Sequence, residues 1–192
     1  VVYLFEEAVD TLLNRCEGIN MPVRAMVERG TLAVVKVDPL LYSPDEFANQ
    51  VHLEVEKAHT QIIMIDSVLG YKLSFQTDDL IRHIHNLCQY LKGRGVTTLL
   101  TNEVESITGD FRATELGVSY LTDNIIFLRY LEIRGQMRRA IGVLKKRLSD
   151  FEKTLREFEI SRYGIKVGRP LTQLRGILSG VPEFIKSRDD EP

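Results

Sequence analysis

What this sequence lacks narrows its range before anything it contains. No apolar run approaches the roughly 20 residues of a membrane-spanning helix, and no signal peptide is present; both absences point to a cytoplasmic protein. There is no C-x-x-C pair and no Cys/His cluster. Cys16 and Cys88 both fall on apolar helix faces and read as reduced core cysteines, not as a disulfide or a metal site. His83 and His85 stand two apart on one helix and diverge, while His52 and His59 fall on another, so no pair has the spacing of zinc ligands. No G-x-S-x-G elbow supports a Ser/His/Asp hydrolase. A net charge of −2 argues against a global basic field for nucleic acid. Nowhere is there a G-x-x-x-x-G-K-[ST] loop, the element that cradles nucleotide phosphates.

What remains is an ordinary folded chain. Its 192 residues, 44% hydrophobic and 27% charged, suit one sizeable domain or a large piece of one. The charges are uneven. From Arg129 to Arg156 run Arg134, Arg138, Arg139, Lys145, Lys146, Arg147 and Lys153, opposed only by Glu132, Asp150 and Glu152. A local basic zone in a near-neutral chain points to an anionic partner or substrate.

Strands and helices alternate through the first half. Val1–Phe5 reads as a buried strand closed by Glu6-Glu7, followed by a helix with Val9, Leu12, Leu13, Cys16 and Ile19 on one face. Residues 31–37 form a second strand. Ser43, Pro44 and Glu46 spell a capping box with proline at the first helical position, and Phe47, Val51, Val55 and Ala58 supply that helix's buried stripe. The strand from Gln61 to Ser67 comes next. A helix capped by Thr77 carries Leu80, Ile81, Ile84, Leu87, Cys88 and Leu91, ends at Gly93 and Gly95, and leads into a strand from Val96 to Thr101. This rhythm predicts a parallel sheet with helices on both faces. It then changes. Residues 124–134 and 136–147 read as two long antiparallel strands joined around Gly135, and the glycines and prolines from Gly164 to Pro182, Gly180 among them, predict short strands and turns. A single domain is expected over 1–185, with a polar tail over 186–192.

Within this frame Ile62-Ile63-Met64-Ile65-Asp66-Ser67 stands out: four bulky apolar residues that deliver one carboxylate to the carboxyl end of a buried parallel strand. Open α/β sheets bind ligands at that end, and in nucleoside triphosphatases an aspartate there holds magnesium on the phosphates. Glu6-Glu7 closes its strand at the same rim, where a carboxylate polarises a water for attack, or else stabilises the positive end of the next helix. Thr101-Asn102-Glu103 also ends a rim strand, as a sensor of phosphate or water or as a helix cap. With a period of two, Lys145 and Arg147 project from one face, shared with Ile141 and Val143. They form a phosphate clamp or a solvated strand end, which Lys153 extends or leaves.

Taken in order, these pieces resemble the KaiC family of RecA-like ATPases, the circadian clock protein and its bacterial and archaeal relatives. The resemblance rests on Tyr3-Leu4-Phe5-Glu6-Glu7, Ile63-Met64-Ile65-Asp66-Ser67 and Leu121-Thr122-Asp123-Asn124-Ile125-Ile126-Phe127-Leu128-Arg129-Tyr130. It continues through Glu132-Ile133-Arg134-Gly135-Gln136-Met137-Arg138-Arg139-Ala140-Ile141, Val143-Leu144-Lys145-Lys146-Arg147 and Arg156-Glu157-Phe158. It implies an α/β fold, a RecA-like P-loop ATPase core with a mostly parallel sheet and a C-terminal antiparallel hairpin extension. It also implies ATP and Mg2+ as cofactors. Glu6 and Glu7 are then catalytic, Asp66 binds the metal beside Ser67, and Lys145, Arg147 and Lys153 reach the nucleotide of the neighbouring subunit in a hexameric ring. Regulatory protein partners, signalling or clock-like output and autokinase activity are further implications.

Two departures from the family pattern stand out. Where the clock protein carries a Ser-Thr phosphoacceptor pair, this chain has Ser119 and Tyr120, leaving Ser119 as the candidate acceptor. The absent phosphate loop reads as truncation, the chain starting just downstream of it. An alternative is a non-catalytic RecA-like scaffold that assembles and binds partners without turnover. A recombinase or helicase is disfavoured, since no basic and aromatic groove for single strands is evident.

Overall fold

The computed structural model describes residues 1–38, 40–75, 79–103, 121–178 and 182–185, with the backbone alone at Leu80, and the chain forms two compact units, Val1–Glu103 and Val104–Pro192. Thr77, Ser119, Gly180 and the tail from 186 to 192 lie outside the described residues.

The first unit follows the predicted alternation: β1 (Val2–Leu4), α1 (Val9–Gly18), α2 (Val23–Glu28), β2 (Val34–Lys36), α3 (Pro44–Lys57), β3 (Ile62–Asp66), α4 (Val68–Phe75), α5 (Leu80–Gly93) and β4 (Thr97–Leu100). Its four strands are parallel, in the order β2-β1-β3-β4. The two inner strands are sealed on both faces, with Tyr3, Leu4, Ile63 and Ile65 at 0% exposure, as a helix-covered parallel sheet requires. Five aromatic rings pack against one another. Phe5 meets Phe47 and Tyr71 at 5.4 Å between centroids, Tyr3 meets Phe47 at 5.1 Å and Tyr71 meets Phe75 at 4.7 Å, all edge to face. This cluster pins α3 and α4 to β1.

The capping box that begins α3 is formed in full: Glu46 N donates to Ser43 Oγ at 3.2 Å and Ser43 N donates to Glu46 Oε2 at 2.7 Å. These bonds favour the carboxylate and hold the Glu46 carboxyl below its ordinary range. Three details differ from expectation. Ala58 is the exposed C-cap of α3 and not part of its buried stripe; His59 lies beyond that helix with φ 55°; and Ile81 is 42% exposed while Ile84, Leu87 and Leu91 are buried.

The second unit is antiparallel: β5 (Asn124–Ile133), β6 (Gln136–Lys146), β7 (Arg156–Ser161) and β8 (Gly164–Pro170) lie side by side in chain order, and β9 (Leu174–Arg175) pairs with β10 (Glu183–Phe184). The β5–β6 link is a two-residue turn in which Arg134 (φ 51°) and Gly135 (φ 73°) both take positive φ, the type I′ geometry that matches strand twist. Leu131, Ala140 and Ile177 form its core, with Ile133, Leu155, Leu171 and Leu174 packed against them.

Candidate active site at the carboxyl end of the parallel sheet

Register brings the rim together. Leu4 pairs with Lys36 on one side and with Asp66 on the other, and Ile65 pairs with Leu100, so Thr101 follows on level with Asp66. Phe5 N donates to the Asp66 carbonyl at 2.9 Å, and Lys36 Nζ donates to the Phe5 carbonyl at 2.8 Å. The Asp66 carboxylate accepts from Thr101 Oγ1 at 2.5 Å. Ser67, 2% exposed, acts as the N-cap of α4: its Oγ accepts from Gly70 N at 3.0 Å, and its carbonyl accepts from Tyr71 N at 2.9 Å. The same hydroxyl donates to Glu6 Oε2 at 3.3 Å.

The two glutamates part company here. Glu6 turns to Ser67, next to Asp66, whereas Glu7 Oε1 is bonded to Arg15 Nη2 on α1 at 2.6 Å. A tight approach fixes the first orientation. A Cβ built on Gly70 would meet Phe5 Cβ at 2.8 Å and Glu6 Cγ at 3.0 Å, so only glycine lets α4 lie this close to the end of β1. Gly70, Arg15 and Lys36 carry no signal in a single sequence, because each matters through a partner distant along the chain. Thr101 stood out as a rim residue, but the partner of its hydroxyl did not.

The carboxylates at this rim, each bonded by a hydroxyl, offer hard oxygen, which suits Mg2+ over softer metals. Among the described residues no group of three or more His, Cys, Asp or Glu side chains gathers to enclose a metal. A cation at Asp66 would therefore complete its shell from phosphate oxygens and water, the habit of magnesium in phosphoryl-transfer sites. The residues present fit that ion.

The basic residues belong to the second unit. Lys145 Nζ donates to the Thr122 carbonyl at 2.8 Å, Arg147 Nη1 reaches Asp123 Oδ1 at 3.2 Å, and Arg147 N donates to the Asp123 carbonyl at 3.0 Å. Both cations are thus brought together beside the segment that leads into β5. Lys153 pairs instead with Asp150 at 3.9 Å, and both side chains are exposed. One expectation needs correction. Lys145 pairs with Ile125 but Val143 pairs with Ile126, so a bulge at Leu144 intervenes. Cross-strand partners share a face and adjacent residues on β5 do not, so Ile141 and Val143 lie on the face opposite Lys145.

A helix-flanked parallel sheet with carboxylates at or just after the ends of its inner strands, followed along the chain by an antiparallel extension, is consistent with a RecA-like α/β core. The chain belongs to the KaiC family: the family model described as "ATPase: KaiC" matches residues 1–172. It is 28% identical over 191 residues to the circadian clock protein KaiC3 of Synechocystis, covering 100% of this chain and 38% of that protein. It is 29% identical over 185 residues to the circadian clock oscillator protein KaiC of Synechococcus elongatus, covering 96% of this chain and 36% of the relative. The chain therefore spans less than two fifths of the length of these relatives.

Proposed function

We propose that this chain is part of a cytoplasmic KaiC-like ATPase that binds and hydrolyses ATP with Mg2+ at the subunit interfaces of a homo-oligomeric, hexameric ring, in signal transduction or clock-like regulation with protein partners. Residues 1–185 act as one ATPase domain in this reading. The observation that carries it is the meeting of Glu6 and Asp66 through Ser67 at the carboxyl rim of the parallel sheet; the family match and the similarity to clock proteins support it. Among the described residues no helix is long and apolar enough to cross a membrane.

In this reading Glu6, Glu7, Asp66 and Ser67 take roles that their contacts support, and the remaining roles come from the family resemblance. Asp66 holds the magnesium ion, which when bound neutralises charge on the phosphates. Glu6, aimed at the same rim, accepts the proton of the attacking water; Glu7, tied to Arg15, steadies the start of α1. Ser67 holds Glu6 in place and lies beside the nucleotide. Lys145 and Arg147 meet the phosphates bound by the adjacent subunit, with Lys153 at the margin. Ser119 is the candidate acceptor for an autokinase reaction.

Magnesium-dependent ATP hydrolysis by the full-length protein tests this, with the mass of the assembly measured beside it. Asp66→Ala is expected to abolish turnover. Glu6→Gln should lower kcat by at least about 100-fold, the usual scale for losing a general base, and Glu7→Gln by less than about 10-fold. No magnesium-dependent hydrolysis in the wild-type protein would overturn the enzyme reading and leave a scaffold. Equal losses for the two glutamine variants would overturn the division between them.

A further inference from the structure

Thr101 follows β4 and meets the turn between β3 and α4 with every polar group it owns. Its N donates to the Ile65 carbonyl at 3.1 Å, and its carbonyl accepts from Val68 N at 2.9 Å. These two bonds brace the backbone on either side of Asp66-Ser67. Its hydroxyl then reaches the carboxylate between them, donating to Asp66 Oδ1 at 2.5 Å. The Ile65 carbonyl also lies 3.3 Å from that hydroxyl. A hydroxyl has a single proton, however, and the shorter contact to a charged acceptor takes it. Thr101 is partly buried, so this bond is shielded from competing water.

We propose that Thr101 is a positioning residue for Asp66: its hydroxyl occupies Oδ1, locks the carboxylate rotamer and leaves Oδ2 as the oxygen offered to a divalent cation. The bond also removes Thr101 from the role of phosphate or water sensor that its rim position allows, because its proton is already committed. The assignment rests on the reading of Asp66 as magnesium ligand. It goes beyond that reading in naming what aims the ligand and which oxygen is presented. A carboxylate on a strand end is otherwise free to rotate about two side-chain bonds, and each rotamer that turns away weakens the site.

The test uses Mn2+ as probe, titrated into the full-length protein with ADP and followed by electron paramagnetic resonance, beside the Mg2+ dependence of hydrolysis. Thr101→Val keeps the β-branched shape and both backbone bonds and deletes only the hydroxyl. It is expected to weaken Mn2+ binding about 10-fold, the lower end for removing a group that orients a metal ligand. The Mg2+ requirement should shift in parallel, while kcat at saturating metal stays within about threefold. Thr101→Ser, which restores the donor, should return affinity to within about twofold of wild type. If Thr101→Val does not fold by near-ultraviolet circular dichroism, Thr101→Ala carries the same expectation. Wild-type Mn2+ affinity in the folded hydroxyl-less variant, with affinity lost in Asp66→Ala, would overturn the role of Thr101 and leave Asp66 as ligand. Wild-type affinity in Asp66→Ala would overturn both.

Discussion

In the first unit the candidate carboxylates stand on a packed core; in the second, the candidate cations are held from the side by polar contacts near the surface. Asp66 ends an inner strand and is gripped by Thr101; Glu6, itself exposed, follows the other inner strand and is met by a buried serine and the close approach of Gly70. Lys145 and Arg147 follow a bulge in an open sheet. On β5, Phe127 and Leu131 are buried while Ile126, Leu128 and Tyr130 on the alternate positions are 64%, 62% and 48% exposed. The Arg147–Asp123 pair is itself nearly half exposed, where ion pairs contribute little and are screened by salt. The contrast suits the proposed roles: a metal ligand and a general base would need sub-ångström placement, whereas cations meeting phosphates across an interface would need reach.

The strongest way to break this comparison is to remove the packing. Phe47 touches Tyr3, Phe5, Tyr71 and Phe75 at 1% exposure. Phe47→Ala is expected to cost about 3–5 kcal/mol, the range for emptying a buried aromatic site. Tyr130, 48% exposed with the Arg139 guanidinium 5.3 Å over its ring, should cost less than about 1 kcal/mol when changed to alanine. Chemical denaturation, with hydrogen exchange to locate the loss, checks both. Similar costs would erase the distinction.

A smaller change separates stability from function. Gly70→Ala and Gly142→Ala each force a methyl into occupied space: at Gly70 against Phe5 and Glu6, at Gly142 within 2.4 Å of Leu155 Cδ2 and 2.7 Å of the Phe127 ring. Each is expected to destabilise by about 1–3 kcal/mol. Only Gly70→Ala pushes on Glu6, so only it should lower kcat for ATP hydrolysis by about 10-fold or more at temperatures where the protein stays folded. A matching loss in Gly142→Ala would mean that the second unit is built as tightly to its site as the first.

What was legible in the sequence follows the same division. β3 and Asp66 were readable because a fully buried parallel strand is a plain apolar run. The α3 capping box was readable because its residues fall within four consecutive positions, and the β5–β6 turn because glycine marks it. Helix α4 escaped notice since Val68, Tyr71 and Phe75 are buried on one side while apolar Leu73 is exposed on the other, which removes the one-sided period that betrays a helix. The bulge at Leu144 leaves a period of two intact on either side and shows only when the partner strand is in view. The division between Glu6 and Glu7 depends on Arg15, Ser67 and Gly70, whose contacts local periodicity does not encode. Elements were therefore readable, while the aim of individual side chains was not.

The subtlest prediction concerns alkaline pH and sharpens the contrast through the first unit alone. Burial raises the Cys88 thiol from about 9 to about 11 and pushes the Tyr3 and Tyr71 phenols above their ordinary value, Tyr3 further so by the Glu54 carboxylate. In each case the native state holds its proton more tightly than the unfolded chain. Stability from Cys88 is thus complete below about pH 9 and declines as pH rises towards 11, by about 1 kcal/mol at pH 10. The tyrosines extend the loss to higher pH. Denaturation midpoints measured from pH 8 to 10.5 should fall, with exchange protection lost from Tyr3, Tyr71 and α5 before β5 and β6. Cys88→Ala, although less stable at every pH, should show the shallower slope between pH 9 and 10.5. An unchanged slope in that variant would show that the thiol ionises as easily in the folded protein as in the unfolded chain, and that the first unit is wetter around α5 than its packing implies.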